Sequence, residues 1–308
     1  MGAVWRGRDR ETGARYAIKV LPPEYARSAT TVARFVRERT ALVSFQHPNV
    51  VTLHDMIVEG DRLALVMDLV EGGDLEAYRQ QRGGAVSRGD ALGLTAQICD
   101  GLAAAHAAGI VHRDLKPANV LLDAGRVRLA DFGIARITDE SFATTTGTVL
   151  GTVAFMAPEV IKGQEAGPPC DVYAVGITLY LLLTGAPPFV GQVPAIMHGH
   201  LETAPPRPNG IPDRLWALIG VCLSKDPAAR PGAAALAHAL RDPARRPSPD
   251  RRRPCCRPGA FRHSTAPARR ATRAPKANRP PDGVGGSAVG SGPWLPRSSS
   301  SWWGRACS

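Results

Sequence analysis

The chain has 308 residues, 44% of them hydrophobic and 21% charged. That is enough for one large or two modest packed domains, and too balanced for a wholly disordered or fibrous protein. The net charge of +11 would ordinarily suggest a nucleic acid or a membrane surface as partner, but residues 241–308 hold 15 Lys/Arg against 3 Asp/Glu, which leaves 23 against 24 in residues 1–240. The basic signal belongs to a tail, and no specific nucleic-acid partner is expected.

In chain order, Arg15 to Leu21 alternates, with Tyr16, Ile18 and Val20 on one side and Ala17, Lys19 and Leu21 on the other. This predicts a strand, ended by Pro22-Pro23. Thr30 to Phe45 carries Val32, Phe35, Leu42 and Val43 near one helical face. Two strand-like runs follow, Val50 to Val58 and Arg62 to Val70, joined by a turn at Glu59-Gly60-Asp61. From Glu71 onward helical periods dominate. Leu92 to Ala108 reads as a helix closed by Gly109, and short strands near Val120 to Leu122 and Val127 to Ala130 flank Asp123-Ala124-Gly125. The apolar run Val172 to Leu183 is about a dozen residues, short of the roughly 20 a membrane span needs, so it predicts a buried helix and no membrane span. The last 68 residues hold 11 Pro, 7 Gly and 9 Ser without periodicity and read as a disordered tail.

With charged Arg6, Arg8, Asp9, Arg10 and Glu11 no signal peptide is expected, and Arg6 stands where a myristoylation motif needs Ser or Thr. The six cysteines (99, 170, 222, 255, 256 and 307) form no CxxC pair, which suits incidental thiols in a reducing compartment. A cytoplasmic location is expected.

Three segments decide the chemistry: His112-Arg113-Asp114-Leu115-Lys116-Pro117-Ala118-Asn119, then Asp131-Phe132-Gly133, then Ala157-Pro158-Glu159 preceded by Gly151-Thr152. With Ala17-Ile18-Lys19 upstream they follow the order of the protein-kinase signature set. Over roughly residues 1–240 the sequence resembles the eukaryotic-like (Hanks-type) serine/threonine protein kinases of bacteria. The resemblance implies an α+β, bilobal fold with a small β-rich lobe of about residues 1–70 and a larger helical lobe of about 71–240.

It also implies Mg²⁺-ATP, with Mn²⁺ as the other usable ion, and protein substrates, with self-association for autophosphorylation. Asp114 would take or orient the proton of the substrate hydroxyl, and Lys116 would offset charge on the migrating phosphoryl. Asn119 and Asp131 supply the hard oxygens a divalent ion prefers. Lys19 would reach the phosphates beside the small Ala17. Glu38 lies three residues after Phe35 and four before Leu42, on the apolar face of its helix, so its carboxylate needs a cation. The family's Lys–Glu pair makes that cation Lys19. Met67 resembles the gatekeeper of the adenine pocket, the backbone from Asp68 to Val70 its hinge, and Leu121 its floor.

Thr144, Thr146 and Thr148 lie in the activation-segment-like stretch, where a phosphate on one of them could pair with Arg113. Asp171 resembles the aspartate that braces the catalytic loop, and Glu159 and Arg230 an anchoring ion pair in the large lobe. These last roles are structural.

Of the glycine-rich loop, Gly-x-Gly-x-x-Gly-x-Val, only the end is matched, by Gly2 and Val4. Either the reading frame continues upstream of Met1, or the phosphates lack a lid, in which case weak ATP binding is expected. The second case would make the chain a nucleotide-impaired, kinase-like binding protein. A small-molecule phosphotransferase of related architecture is a further alternative, against which the Gly151-to-Glu159 segment argues.

Overall fold

The computed structural model describes residues 3–60, 62–132 and 149–242, apart from the side chains at positions 34, 37–41, 149 and 150. The small lobe is a four-stranded antiparallel sheet of β1 (Ala3–Arg8), β2 (Arg15–Val20), β3 (Leu53–Glu59) and β4 (Arg62–Asp68) in the order β1-β2-β4-β3. The β1–β2 turn is closed by Asp9, whose Oδ1 accepts the N–H groups of Glu11 and Thr12 at 2.9 and 2.7 Å, an Asx arrangement. β4 sits between two strands and is buried from Leu63 to Met67, which explains why it reads as a continuous apolar run. The register sets Ala17 opposite Met67 and Lys19 opposite Leu65.

Two short-range features differ from the sequence expectation. Pro22-Pro23 ends β2, but Pro23 also opens a one-turn helix, α1 (Pro23–Arg27), because proline's missing N–H and fixed φ suit the first helical position. β3 begins at Leu53 rather than Val50. The preceding residues pair with the other lobe instead: Val51 donates its N–H to the Leu129 carbonyl at 2.8 Å, and Leu129 returns one to Asn49 at 2.9 Å. Helix α2 (Ala29–Ser44) is capped by Ser28, whose hydroxyl accepts the Thr31 N–H at 3.2 Å. It buries Phe35 completely against Ala17, Leu21, Met56, Leu65 and Met67.

The large lobe starts with α3 (Leu75–Gln80), capped by Asp74, and α4 (Arg88–Ala107), capped by Ser87. Gly109 follows α4 at φ +76°, the left-handed step that lets the chain leave the helix. A two-stranded hairpin, β5 (Val120–Asp123) and β6 (Arg126–Leu129), follows. Beyond the undescribed residues come α5 (Val149–Val153), α6 (Pro158–Ile161), α7 (Pro168–Thr184), α8 (Val193–Glu202), α9 (Asp213–Cys222) and α10 (Ala233–Arg241). The apolar run read from the sequence is α7. It is buried at every position from Cys170 to Leu182 and packs against α4 and α9 in one core. At about 2–3 kcal/mol for each fully buried Leu or Ile, this helix anchors the lobe. Among the described residues no helix is long and apolar enough to cross a membrane.

The link between lobes is tight at Gly72. A Cβ there would stand 1.9 Å from the Leu122 carbonyl oxygen, and the adjacent Gly73 carbonyl accepts the Leu122 N–H at 2.9 Å. Gly72→Ala is therefore expected to lower stability by about 3 kcal/mol. Gly93 lies exposed within α4, and a Cβ there would meet nothing within 4 Å, so Gly93→Ala is expected to raise stability by about 1 kcal/mol. Urea midpoints of the two variants should move in opposite directions from the parent.

Candidate active site

The loop from His112 to Asn119 leaves α4 and returns into β5, and one buried carboxylate organises its start. Asp171, in the first turn of α7 and 1% exposed, accepts the backbone N–H of His112 at Oδ2 (2.9 Å) and of Arg113 at Oδ1 (2.8 Å). His106 of α4 adds a contact from Nε2 to Oδ2 at 2.8 Å. Burial pushes this carboxyl upward. The His106 hydrogen bond, the nearby charge of His112 and His106, and the His112 N–H more than offset it, so the group stays below its ordinary 3.8. Arg113 is held at φ +69°, a conformation costly for a side chain with a Cβ. His112 is fully buried, with Nε2 2.9 Å from the Ala130 carbonyl and its ring 4.6 Å from that of Phe132. The loop is thereby tied to the residues just ahead of Asp131.

Downstream, the polar side chains converge. Lys116 Nζ donates to both Asp114 oxygens, at 3.1 and 2.8 Å, and to Thr152 Oγ1 at 3.0 Å. Asn119 Nδ2 donates to the Asp114 carbonyl at 2.7 Å and to its Oδ2 at 3.1 Å. The Ala130 N–H bonds the Asn119 carbonyl at 2.9 Å, which brings Asp131 beside Asn119. Asp131, at φ +65°, accepts Lys19 Nζ on Oδ2 at 2.7 Å. Strand β2 of the small lobe thus meets the carboxylate that follows β6 of the large one.

Among the described residues no three His, Cys, Asp or Glu side chains converge as a metal cage. One amide and one carboxylate fit a Mg²⁺ ion that completes its shell with phosphate and water oxygens, the usual arrangement at nucleotide sites.

Ala17, Met67, Val70 and Leu121 share one apolar cluster, drawn from both lobes. Val4 is on the edge strand β1 and 63% exposed. Asp68 at the end of β4 directs its N–H to the Thr52 carbonyl at 3.0 Å and its carboxylate to His54 Nε2 (2.6 Å) and Arg128. Glu159 and Arg230 form a two-pronged pair at 2.6 and 2.8 Å, both buried. Arg230 also donates to the carbonyls of Ser224 and Pro169. Gly2, Thr144, Thr146, Thr148 and the tail from 243 lie outside the described residues, as does the Glu38 side chain.

Three contributors carry no side-chain role in the sequence reading, where Asp68 enters only through its backbone. Thr152 is only a landmark there, though a lone hydroxyl ahead of Val153 is visible. His106 follows Leu102 by four, so it shares the buried face of α4, and a histidine there needs a polar partner. Asp68 is a charge ending an apolar strand.

A family model described as "protein kinase domain" matches residues 1–240. The chain belongs to the protein kinase family. This kinase is 48% identical over 256 residues to the serine/threonine-protein kinase PkaA of Streptomyces coelicolor, which covers 78% of this chain and 47% of that protein. It is 43% identical over 252 residues to PkaB of the same organism (78% and 60%) and 38% identical over 238 residues to PknA of Mycobacterium tuberculosis (75% and 55%). The kinase chain spans about half the length of these curated relatives.

Asp171→Asn removes the negative charge and turns one of the two accepting oxygens into an amide donor, so that either the Arg113 N–H or the His112 N–H with His106 loses its acceptor. It is expected to cost about 3 kcal/mol at pH 7. Because the folded carboxyl lies below its ordinary value, its contribution is present above about pH 4 and fades as pH falls through the folded value. Urea titrations of parent and variant should therefore differ at pH 7 and converge in stronger acid.

Proposed function

We propose that this chain is a serine/threonine protein kinase that transfers the γ-phosphoryl group of ATP to protein hydroxyls. The observation that carries the reading is the Asp114–Lys116–Asn119–Thr152 cluster facing the Lys19–Asp131 pair. The names of the relatives point to the same acceptor class. In this reading Asp114 accepts the hydroxyl proton as the new O–P bond forms. The bond from the γ-phosphorus to the bridging oxygen breaks, and its electron pair leaves with ADP.

Lys116, already on Asp114, offsets the charge of the moving group. Lys19 reaches the remaining phosphates, with Glu38 as its second carboxylate. Asn119 has committed its Nδ2 inward, so its Oδ1 is the atom offered to a metal, together with Asp131. Bound Mg²⁺, or Mn²⁺, would neutralise and align phosphate oxygens. Ala17, Met67, Val70 and Leu121 suit an adenine ring, and Gly2 and Val4 match the end of the loop that would cover the phosphates. Arg113, at the head of the loop, is the cation to which a phosphate on Thr144, Thr146 or Thr148 would dock. Asp171, Glu159 and Arg230 act as supports. The division into a domain over 1–240 and a tail over 241–308 belongs to the same reading.

Asp114→Asn and Lys19→Met are each expected to lower peptide phosphorylation by about a thousandfold while leaving the thermal midpoint near the parent's. A parental rate in the Asp114→Asn protein would overturn the assignment. Intact mass after incubation with Mg²⁺-ATP should rise in steps of phosphate for the parent and rise less in the Thr144/Thr146/Thr148 triple-Ala variant.

A further inference from the structure

Strands β1 and β2 carry arginines that the transfer chemistry does not use. In an antiparallel pair, residues directly opposite one another share a face of the sheet. Arg6 stands opposite Ala17 and Arg8 opposite Arg15, as Val4 stands opposite Lys19. That face carries Ala17 into the apolar cluster that suits adenine, and Lys19 onto Asp131. Three guanidinium groups therefore leave the hairpin on its cleft side, where like charges on neighbouring positions repel.

Their partners relieve the repulsion. Arg8 turns back along the hairpin, its Nε donating to the Gly13 carbonyl at 3.0 Å. Arg6 and Arg15 are diagonal neighbours on the face and converge on one carboxylate, their Nη1 atoms 3.7 and 3.5 Å from Glu71 Oε1. Glu71 follows Val70, which packs in the adenine cluster. It precedes Gly72, which lies so close to β5 that a Cβ has no room. From Gly73 the connecting chain is bonded to the large lobe, through the Leu122 N–H at 2.9 Å.

The anion is thus seated where the connecting chain docks on the large lobe, and both cations ride on the hairpin of the small lobe. Strand β1 is the edge of the sheet, at the opposite end from β3. The two arginine contacts tie this edge down beside the adenine cluster.

We propose that Arg6, Arg15 and Glu71 form a latch at the rim of the nucleotide cleft, one carboxylate holding the β1–β2 hairpin over the adenine ring and slowing nucleotide release. They are positioning residues, acting through Ala17 and Lys19 on the strand they hold. The inference rests on the kinase reading for its ligand, though not for its geometry. The side chains are 76%, 67% and 47% exposed, so each contact is weak and screened by salt. A latch of this kind tunes a rate and is not essential for transfer.

In the full chain, Glu71→Gln is expected to speed Mg²⁺-ADP release about fivefold, the size of two exposed ion pairs, with the KM for the peptide unchanged. Release is read in stopped flow as an excess of a fluorescent ATP analogue replaces ADP. Parent and variant rates should meet at about 1 M NaCl, where screening acts within about 3 Å. Arg6→Ala with Arg15→Ala should match Glu71→Gln, and adding Glu71→Gln to that pair should change nothing further. Exchanging the signs, with Glu71→Arg, Arg6→Glu and Arg15→Glu together, should restore slow release. Arg27→Ala, which removes an exposed arginine of α1, should release ADP at the parental rate. Amide exchange over β1, residues 3–8, should quicken in Glu71→Gln without any nucleotide.

A parental release rate in Glu71→Gln, a difference undiminished by salt, or arginine and glutamate effects that multiply fully would overturn the proposal. Should the parent bind no ADP, the kinase reading falls, while exchange over residues 3–8 still decides whether Glu71 holds the hairpin.

Discussion

Arg113 occupies a backbone region that L-residues avoid, and the Asp171 carboxylate is what keeps it there, by accepting the N–H groups of His112 and Arg113 on separate oxygens. A carboxylate buried this deeply costs several kcal/mol unless its lone pairs are filled. Two backbone donors and His106 fill them. The exchange is mutual: the loop supplies the donors that let the charge stay buried, and the charge holds the loop in a strained turn. That turn aims Asp114 outward while His112 points back into the core. Since Asp171 sits in the first turn of the most buried helix, the loop inherits the rigidity of the large-lobe core.

Around this fixed point the cleft holds its two lysines in pairs. Lys116 is shared between Asp114 and Thr152, and Lys19 is held by Asp131. Each pair is only partly screened from water, with the lysine more covered than its carboxylate in both cases. The cations are therefore already desolvated and aimed before any polyanion arrives, so little reorganisation is needed when phosphate oxygens compete for them. The Glu159–Arg230 pair differs in kind. It is buried on both sides and saturated by backbone carbonyls, and so serves geometry.

The order of the signature segments, the two-lobe division and the face of β2 bearing Ala17 and Lys19 are legible in the sequence, because each is a local pattern: spacing, alternation or a run. What is not legible depends on contacts between distant segments. Val50 looks like the start of a strand, and only the hydrogen bonds of its neighbours to Leu129, far along the chain, show that this segment pairs with β6 instead. Pro23 looks like a terminator, yet it starts a helix, since the same ring chemistry permits both. Thr152 has no local signal for its partner, because Lys116 lies 36 residues away. The motifs imply that Asp114, Asn119 and Asp131 converge, but no spacing says that Asn119 spends its amide protons on Asp114.

Two attachments of the small lobe outside the connecting chain end on β6. Leu129 exchanges backbone hydrogen bonds with Asn49 and Val51, and Arg128 beside it holds the Asp68 carboxylate at the end of β4. Two adjacent residues of one short strand thus grip the small lobe at the rear of the sheet and at the connection. The Lys19–Asp131 contact bridges the cleft only three residues further along from Arg128. Contacts this close together act as a single pivot. Rotation about it would displace β1, the strand farthest from β3 in sheet order, most. It would alter the Lys19–Asp131 separation less than distances farther from β6. Such a rotation would leave the cation near its carboxylate, because that contact lies close to the pivot.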